Sequence, residues 1–482
     1  MATTTSYEVF RELVTSRAFQ ICSFLLLVFL CARWMHSRLQ LLNTIEGDDR
    51  TKRSAKIIAS SAYVHNIVVV GLVYAAIESD FIAPLFASES EERVSATTWQ
   101  VAIVSTILIL GITSTYPVLF ATNFSYLNKP KERDWNKLYI LVVTKGTNKN
   151  TVERSRAMRD LETLDDRIRF VILTDEGSGA DIKQEDVGVA MIRVPKSFSP
   201  TKAKHKARAL EYFRLRMELG DNDWVLHLDE ETIVDTHCVL SCISFIERAT
   251  EYDWGQGIIT YNTVNYWKNP FLTFAEICRV RDDLGRFQFM QSTLHMPLWG
   301  AHGSFFLASG KIENAVTFNT ECITEDFWFA NRAWWDHGYR EGHIPSVARE
   351  QSNWTVMDLL KQRRRWIAGN WKVGIFGKCG VVAWFVLGFE PLLATALRFS
   401  LVAMPYTIAL MMKVHLLFSL FTYAFATFLS DVDAGVSPWM IALHVLLSPV
   451  LGYVANVLGL IALIYAAVRP VGPNQFEIVK KG

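Results

Sequence analysis

Hydrophobic residues along this chain fall into two kinds of run. Three early stretches are almost unbroken: "FQICSFLLLVFLCARWM" from Phe19, "IIASSAYVHNIVVVGLVYAAI" from Ile57 and "WQVAIVSTILILGITSTYPVLFA" from Trp99. Each is long and apolar enough to cross about 30 Å of hydrocarbon as a helix. Arg33 and Trp34 close the first stretch and no small-residue cleavage site follows it, so it reads as a retained span. From about Gly380 to Val468 the chain is apolar again, broken at "SDVDAGVSP" between Ser430 and Pro438, which predicts about three further spans.

Between these regions the apolar runs shorten and alternate with polar helical stretches, the pattern of a layered α/β domain. "KLYILVVTKG", "RIRFVILTDEGSG" and "DWVLHLDEET" read as buried strands, ending near Thr144, Asp175 and Asp229. The predicted organisation is a membrane region over residues 1–133, an α/β domain over 134–372 and a second membrane region over 373–482. Open α/β sheets bind ligands at the carboxyl ends of their strands, so those three exits are the first places to look for chemistry.

Charge adds an orientation. The loop after the first span holds Arg38, Arg50, Lys52, Arg53 and Lys56, the loop after the second holds Glu78, Asp80, Glu89, Glu91 and Glu92, and Lys129, Lys131 and Arg133 follow the third. Basic loops stay on the cytoplasmic side, which predicts a cytosolic α/β domain. In that topology the Asn123 and Asn353 sequons are not glycosylated. The 49 basic and 48 acidic side chains nearly cancel, so no overall field favours nucleic acid. Seven cysteines without framework spacing suit a reduced compartment, and Cys238 and Cys242, lacking a second ligand pair, read as buried structural thiols.

Candidate chemistry sits at four places. Asp229 and Glu231 leave the third strand on the same side, where two carboxylates can hold a hard divalent cation. "ITEDFWFANRAW" places Thr324, Glu325 and Asp326 at a helix start; Thr324 is a natural cap, and a carboxylate there can also face a cleft as general base. The basic run "PTKAKHKARALEYFRLR" is either a solvated helix face or a source of one or two side chains reaching a diphosphate. In "LLKQRRRWIAGNWK", Gln362, Arg365 and Trp366 fall at i, i+3 and i+4, which predicts a cleft face, with Arg363 and Arg364 turned toward lipid phosphates or solvent.

In series, the strand-end Asp, the D-x-D-like pair, the T-E-D and the Q-x-x-R-W before apolar spans resemble the membrane-bound family-2 glycosyltransferases, which include cellulose, chitin and hyaluronan synthases. "VVTKG", "VPKSF", "KARALEY", "GQGIITYN", "RVRDDLGRFQF", "HGSFFLASG" and "LLKQRRRW" resemble, within that group, the egghead-type β-1,4-mannosyltransferases over most of residues 138 to 372.

The resemblance implies a GT-A, Rossmann-like nucleotide-sugar domain inserted between bundles of transmembrane helices, in a multi-pass protein of the endoplasmic reticulum, Golgi or plasma membrane. It implies inverting transfer of mannose from GDP-mannose to a membrane glycolipid such as glucosylceramide. On this sequence Thr144, Asp175 and Lys206 would bind the donor, Asp229 and Glu231 would hold Mn²⁺ or Mg²⁺, and Asp326 beside Glu325 would be the base. Arg365 would steady the departing diphosphate. Gln362, Trp366, Gly303 and Ser304 would line the acceptor path, and His302 reads as structural because no partner is visible. The alternative is a processive polysaccharide synthase using a UDP-sugar.

Overall fold

The computed structural model describes residues 97–115, 125–145, 151–177, 190–399 and 406–470, with residues 57–58, 64–69, 71–72, 94–95, 188 and 402–403 between them. The span expected from Phe19, most of that from Ile57, and Asn123 lie outside the described residues. The stretch expected from Trp99 is a helix, α1 (Thr98–Thr115).

The domain that follows is built on one seven-stranded mixed sheet. In chain order its elements are β1 (Leu138–Thr144), α2 (Thr151–Arg159), β2 (Ile168–Asp175), β3 (Ala190–Val194), α3 (His205–Met217) and β4 (Trp224–Asp229). Then come α4 (Thr236–Arg248), β5 (Trp254–Thr260), α5 (Pro270–Asp282), β6 (Phe306–Ser309) and α6 (Gly310–Val316). The series closes with α7 (Glu325–His337), β7 (Glu341–Arg349) and α8 (Val356–Asn370).

Spatial order in the sheet is β3-β2-β1-β4-β6-β5-β7. β1 pairs in parallel with β2 on one side and β4 on the other, whereas β6 runs antiparallel between β4 and β5. The three strands read from the sequence are therefore the central ones. They are apolar on both faces because helices cover both. Leu138, Ile140, Val142, Phe170 and Leu226 pack toward Cys238, Val239, Cys242 and Phe245 of α4. Tyr139, Leu141, Val171 and Val225 pack toward Leu210 and Phe213 of α3 and Phe329 of α7. Cys238 and Cys242 are fully buried in that packing, as read.

After α8 the chain forms α9 (Ile375–Phe399), α10 (Tyr406–Ala434) and α11 (Pro438–Val468). Among the described residues two helices, Ile408–Ala434 and Pro438–Val468, are long and apolar enough to cross a membrane. Gly435, with φ at +71°, makes the tight turn between them that a side chain would strain. This hairpin packs on the α/β domain: Tyr423, Phe425, Leu429 and Ala455 join the same apolar core as Phe274 of α5.

The hairpin tip is fastened by charge. Asp433, fully buried, accepts from Nε and Nη2 of Arg349 at 2.8 and 2.7 Å and from Asn262 Nδ2 at 2.7 Å. Asp431 accepts from Trp267 Nε1 and from His444 Nδ1, both at 2.8 Å. A buried carboxylate costs several kcal/mol unless paired, which explains why "SDVDAGVSP" can end an apolar helix inside the protein.

Candidate active site

The strand order reverses between β1 and β4, and there a cavity of about 200 Å³ opens. Asp229 and Glu231 reach it from the end of β4 and Lys206 from the first turn of α3. Glu325 and Asp326 enter from the start of α7, Gly303 and Ser304 from the loop before β6, and Gln362, Arg365 and Trp366 from α8. Ten of the twelve residues expected from the sequence thus border one cavity. Thr144 and Asp175 do not border it: Thr144 Oγ1 donates to Glu230 and Asp175 pairs with Arg208 at 2.6 Å, both at the adjacent strand ends.

Lys206 organises the acidic side. Its ammonium pairs with Asp229, donates to the Gly303 carbonyl at 2.8 Å and lies 3.6 Å from Glu325. Burial alone would lower its pKa, but the Asp229 and Glu325 charges more than offset that and hold it above the usual lysine value. Glu325 is pushed up to about 7, first by burial and then by Asp326, with Lys206 opposing. Asp326 is also raised, again by burial against the pull of Lys206. A base poised above the ordinary carboxylate range at a cavity wall is what proton abstraction near neutral pH requires.

The helix start differs from the sequence expectation in one respect. α7 begins at Glu325 as read, but the Thr324 side chain makes no capping bond. It is turned instead toward Gly369 of α8, where an added Cβ would lie 2.6 Å from Thr324 Cγ2. Gly303 is similarly tight, since a Cβ there would come within 2.8 Å of Asp326 Oδ2. Two glycines therefore fix where the Asp326 carboxylate can sit.

The two-face reading of α8 is corrected. Arg363 and Arg364 are buried rather than turned to lipid or solvent. Arg363 pairs with Glu276 of α5 at 3.2 Å, and its guanidinium sits 4.5 Å from the Trp366 ring. Arg364 donates to the Arg469 carbonyl at 3.1 Å and lies over Tyr465 of α11. The physical reason is that the side of α8 carrying Arg363 and Arg364 is covered by α5 and by α9 and α11.

Gln362 accepts from Asn353 Nδ2 at 2.9 Å, which places Asn353 in the core and away from any glycosylating enzyme. Trp366 stacks beside Trp384 of α9 with ring centres 6.4 Å apart, forming an apolar wall. The Ser304 hydroxyl faces inward, accepting from the Asp229 amide at 3.2 Å and sharing a 2.6 Å bond with Thr232.

Two features of the cavity were not legible in the sequence, and a third group lies beside it. His302 has a partner after all, Asp283, at 2.8 Å, and both border the cavity. Glu350, just past β7, also borders it and is pushed up to about 7 by burial and by Asp229. Lys145, Lys204 and Arg365 gather close enough to His205 that, after burial itself, their charges lower its pKa. Asp175 also acts on His205, so two residues of the basic run read from the sequence, Lys204 and His205, lie near that strand end.

The donor set suits a hard divalent cation: Asp229 and Glu231 offer only oxygen, and an ammonium already stands against Asp229 as a positive charge. Among the described residues no three His, Cys, Asp or Glu side chains form a ready-made metal cage. Two carboxylates completed by substrate phosphates are the usual arrangement for Mg²⁺-type sites.

Residues 224–467 match the family described as glycosyl transferase family group 2, half the chain and all of the cavity except Lys206. The chain belongs to this family. Within it, the chain is 33% identical to the β-1,4-mannosyltransferase egh of Drosophila melanogaster over 241 residues, 48% of this chain and 51% of that protein. It is 36% identical to the β-1,4-mannosyltransferase bre-3 of Caenorhabditis elegans over 173 residues, 35% of this chain and 37% of that protein. The resemblance to egghead-type transferases is thereby borne out, while the chain spans about half the length of the fly protein and less of the nematode one. A solved structure, the mannosyltransferase PcManGT from Pyrobaculum calidifontis in complex with GDP-Man and Mn²⁺, aligns at TM-score 0.40 and 14% identity over 76% of this chain and 98% of its own. At that score the likeness carries no weight in assigning roles.

Proposed function

We propose that this family-2 glycosyltransferase is an inverting β-1,4-mannosyltransferase that moves mannose from GDP-mannose to a membrane glycolipid such as glucosylceramide. The observation that carries the reading is Asp326: a half-buried carboxyl of raised pKa, close against Gly303 and facing the same cavity as Asp229, Glu231 and Arg365. Asp326 takes the proton of the acceptor hydroxyl as that oxygen attacks the anomeric carbon, and the diphosphate leaves from the opposite side in one displacement. Arg365, with Lys145, Lys204 and His205 nearby, stabilises the growing charge of that leaving group. Lys206 holds Asp229 and Glu325 in place; Thr144 and Asp175, at the neighbouring strand ends, receive the nucleoside.

Asp229 and Glu231 would hold Mn²⁺ or Mg²⁺, which when bound supplies further neutralisation of the diphosphate. The acceptor sugar lies against the Trp366–Trp384 wall beside Gln362, on the side of the apolar helices. Those helices and the positive-inside loops support a multi-pass protein with its GT-A domain cytosolic, inserted between the 1–133 and 373–482 membrane regions. The test is a donor panel in detergent with Mn²⁺: GDP-mannose, UDP-glucose and UDP-N-acetylglucosamine, each with and without glucosylceramide. Glycolipid-dependent consumption of GDP-mannose is expected; indifference to the glycolipid, or a high-mass polymer from a UDP-sugar, overturns the reading.

A further inference from the structure

His302 is held more firmly than a cavity-wall side chain needs to be. Gln256, itself fully buried, grips its backbone from both sides: Gln256 Nε2 donates to the His302 carbonyl at 2.8 Å, and Gln256 Oε1 accepts from the His302 amide at 3.2 Å. The ring stacks on Phe287 at 4.9 Å and 15°. Its Nε2 is 2.8 Å from Asp283 Oδ1, while Asp283 Oδ2 accepts from the Ile259 amide at 3.0 Å. Asp283 and Phe287 are the two ends of one π-helical turn that extends α5, a local distortion that recurs at functional sites.

That clamp fixes the tautomer. A carboxylate can only accept, so Nε2 carries a proton, and in the neutral ring Nδ1 is left as a hydrogen-bond acceptor. Nδ1 has no hydrogen-bond partner among the described residues, yet it is not among the atoms sealed from solvent. The ring borders the cavity that Asp326 faces. The loop carrying His302 abuts the apolar helices: the Trp299 carbonyl would lie 3.3 Å from a Cβ on Gly380 of α9. Thr144 and Asp175 lie instead at the β1 and β2 strand ends, outside the cavity wall.

We propose that the Asp283–His302 pair is a hydroxyl-reading subsite for the acceptor sugar, in which His302 Nδ1 accepts a hydrogen bond from a hydroxyl that does not react. The inference rests on the sugar-transfer reading of the cavity. His302 is the binding residue and Asp283 a positioning residue that sets its polarity.

The experiment uses the full chain in detergent, GDP-mannose with Mn²⁺, and alkyl glucosides in which each non-reacting hydroxyl is in turn replaced by hydrogen or by fluorine. Fluorine cannot donate. At one ring position both replacements should raise the acceptor KM of the wild type by about tenfold, the worth of one hydrogen bond. His302→Gln keeps an amide directed at Asp283 and loses the Nδ1 acceptor, so its KM for the parent glucoside should rise to that level and the discrimination should vanish.

Asp283→Asn gives a readout that a purely structural role would not move. The Ile259 amide claims the new side-chain oxygen, which turns the amide N–H toward Nε2 and moves the ring proton to Nδ1. The fluoro acceptor should then be used about as well as the parent, while the deoxy one stays poor. If His302→Gln fails to fold, Asp283→Asn alone decides, and an unchanged fluoro-to-deoxy pattern in it overturns the subsite. Unchanged discrimination in a folded His302→Gln also overturns it. A wild type that transfers to no acceptor overturns the transfer reading itself, and the subsite with it.

Discussion

Gly369→Ala probes how α8 positions the base. The added Cβ would sit 2.6 Å from Thr324 Cγ2, 2.7 Å from its Oγ1 and 3.1 Å from its Cβ. Relaxed contacts between such atoms lie near 3.5–4.0 Å, so Thr324 must retreat by about 1 Å. Thr324 immediately precedes Glu325 and Asp326, and its backbone carbonyl accepts the first bond of α7 from Trp328. The base therefore moves with it. Alanine gains at most about 1 kcal/mol of helix propensity over glycine, and overpacking costs about 1–3 kcal/mol. The difference leaves a net loss of up to about 2 kcal/mol, which the fold should survive. A misplacement of about 1 Å costs on the order of 100-fold in rate, and this loss should fall on kcat. Single-turnover transfer from GDP-mannose measures it, with thermal melting as the control. Adding Thr324→Ala to Gly369→Ala removes the two nearest atoms and should restore most of the rate. Full activity in Gly369→Ala alone, or no recovery in the double variant, refutes the reasoning.

Asp326 is held above the usual carboxylate range and must be ionised to act, so log kcat/KM should rise with pH along an acid limb above about pH 4; Asp326→Asn should lose that limb and about 10²–10⁴-fold in rate, and a mutant with a wild-type profile would exclude it as base. Arg363→Ala removes one partner of buried Glu276, which keeps Arg279 at 3.2 Å. The cost should be about 3 kcal/mol in thermal or denaturant unfolding, with vesicle flotation unchanged; weakened flotation at wild-type stability would restore the bilayer-facing view of that arginine. Glu350, pushed up to about 7 from an ordinary 4.5, contributes stability that is whole below about pH 4.5 and lost as pH rises through about 7. Glu350→Gln keeps an acceptor for Thr232, so it should raise the melting temperature near pH 8 and leave it unchanged near pH 4.5; an equal gain at both contradicts the burial argument.

The parts of the fold that a single sequence exposes are those whose pattern has one cause. β1, β2 and β4 are apolar throughout because both faces are covered, and their polar exits are local to the same strands. The short antiparallel β6 was hidden because its four residues read as an apolar fragment and its neighbours β4 and β5 are distant in sequence. α8 misled for a related reason: helical spacing separates its faces, but it cannot say which is buried, and charged residues at 363 and 364 look like surface until Glu276 and Arg469 are brought to them. His302 and Asp283 lie 19 residues apart and meet where a π turn continues α5. The T-E-D and Q-x-x-R-W motifs were legible as motifs, whereas the contact of Gly369 with Thr324 that couples them needed the packed chain.

The central claim is a single displacement driven by Asp326, and the stereochemistry of the product tests it most directly. The mannose of GDP-mannose is α-linked, so one attack from the opposite face gives a β-mannoside. The anomeric carbon–hydrogen coupling of product made from GDP-mannose and glucosylceramide, read by NMR, should report a β linkage in wild type, with no product above background from Asp326→Asn. An α-linked product, or β-linked product formed at the wild-type rate by Asp326→Asn, would contradict the account.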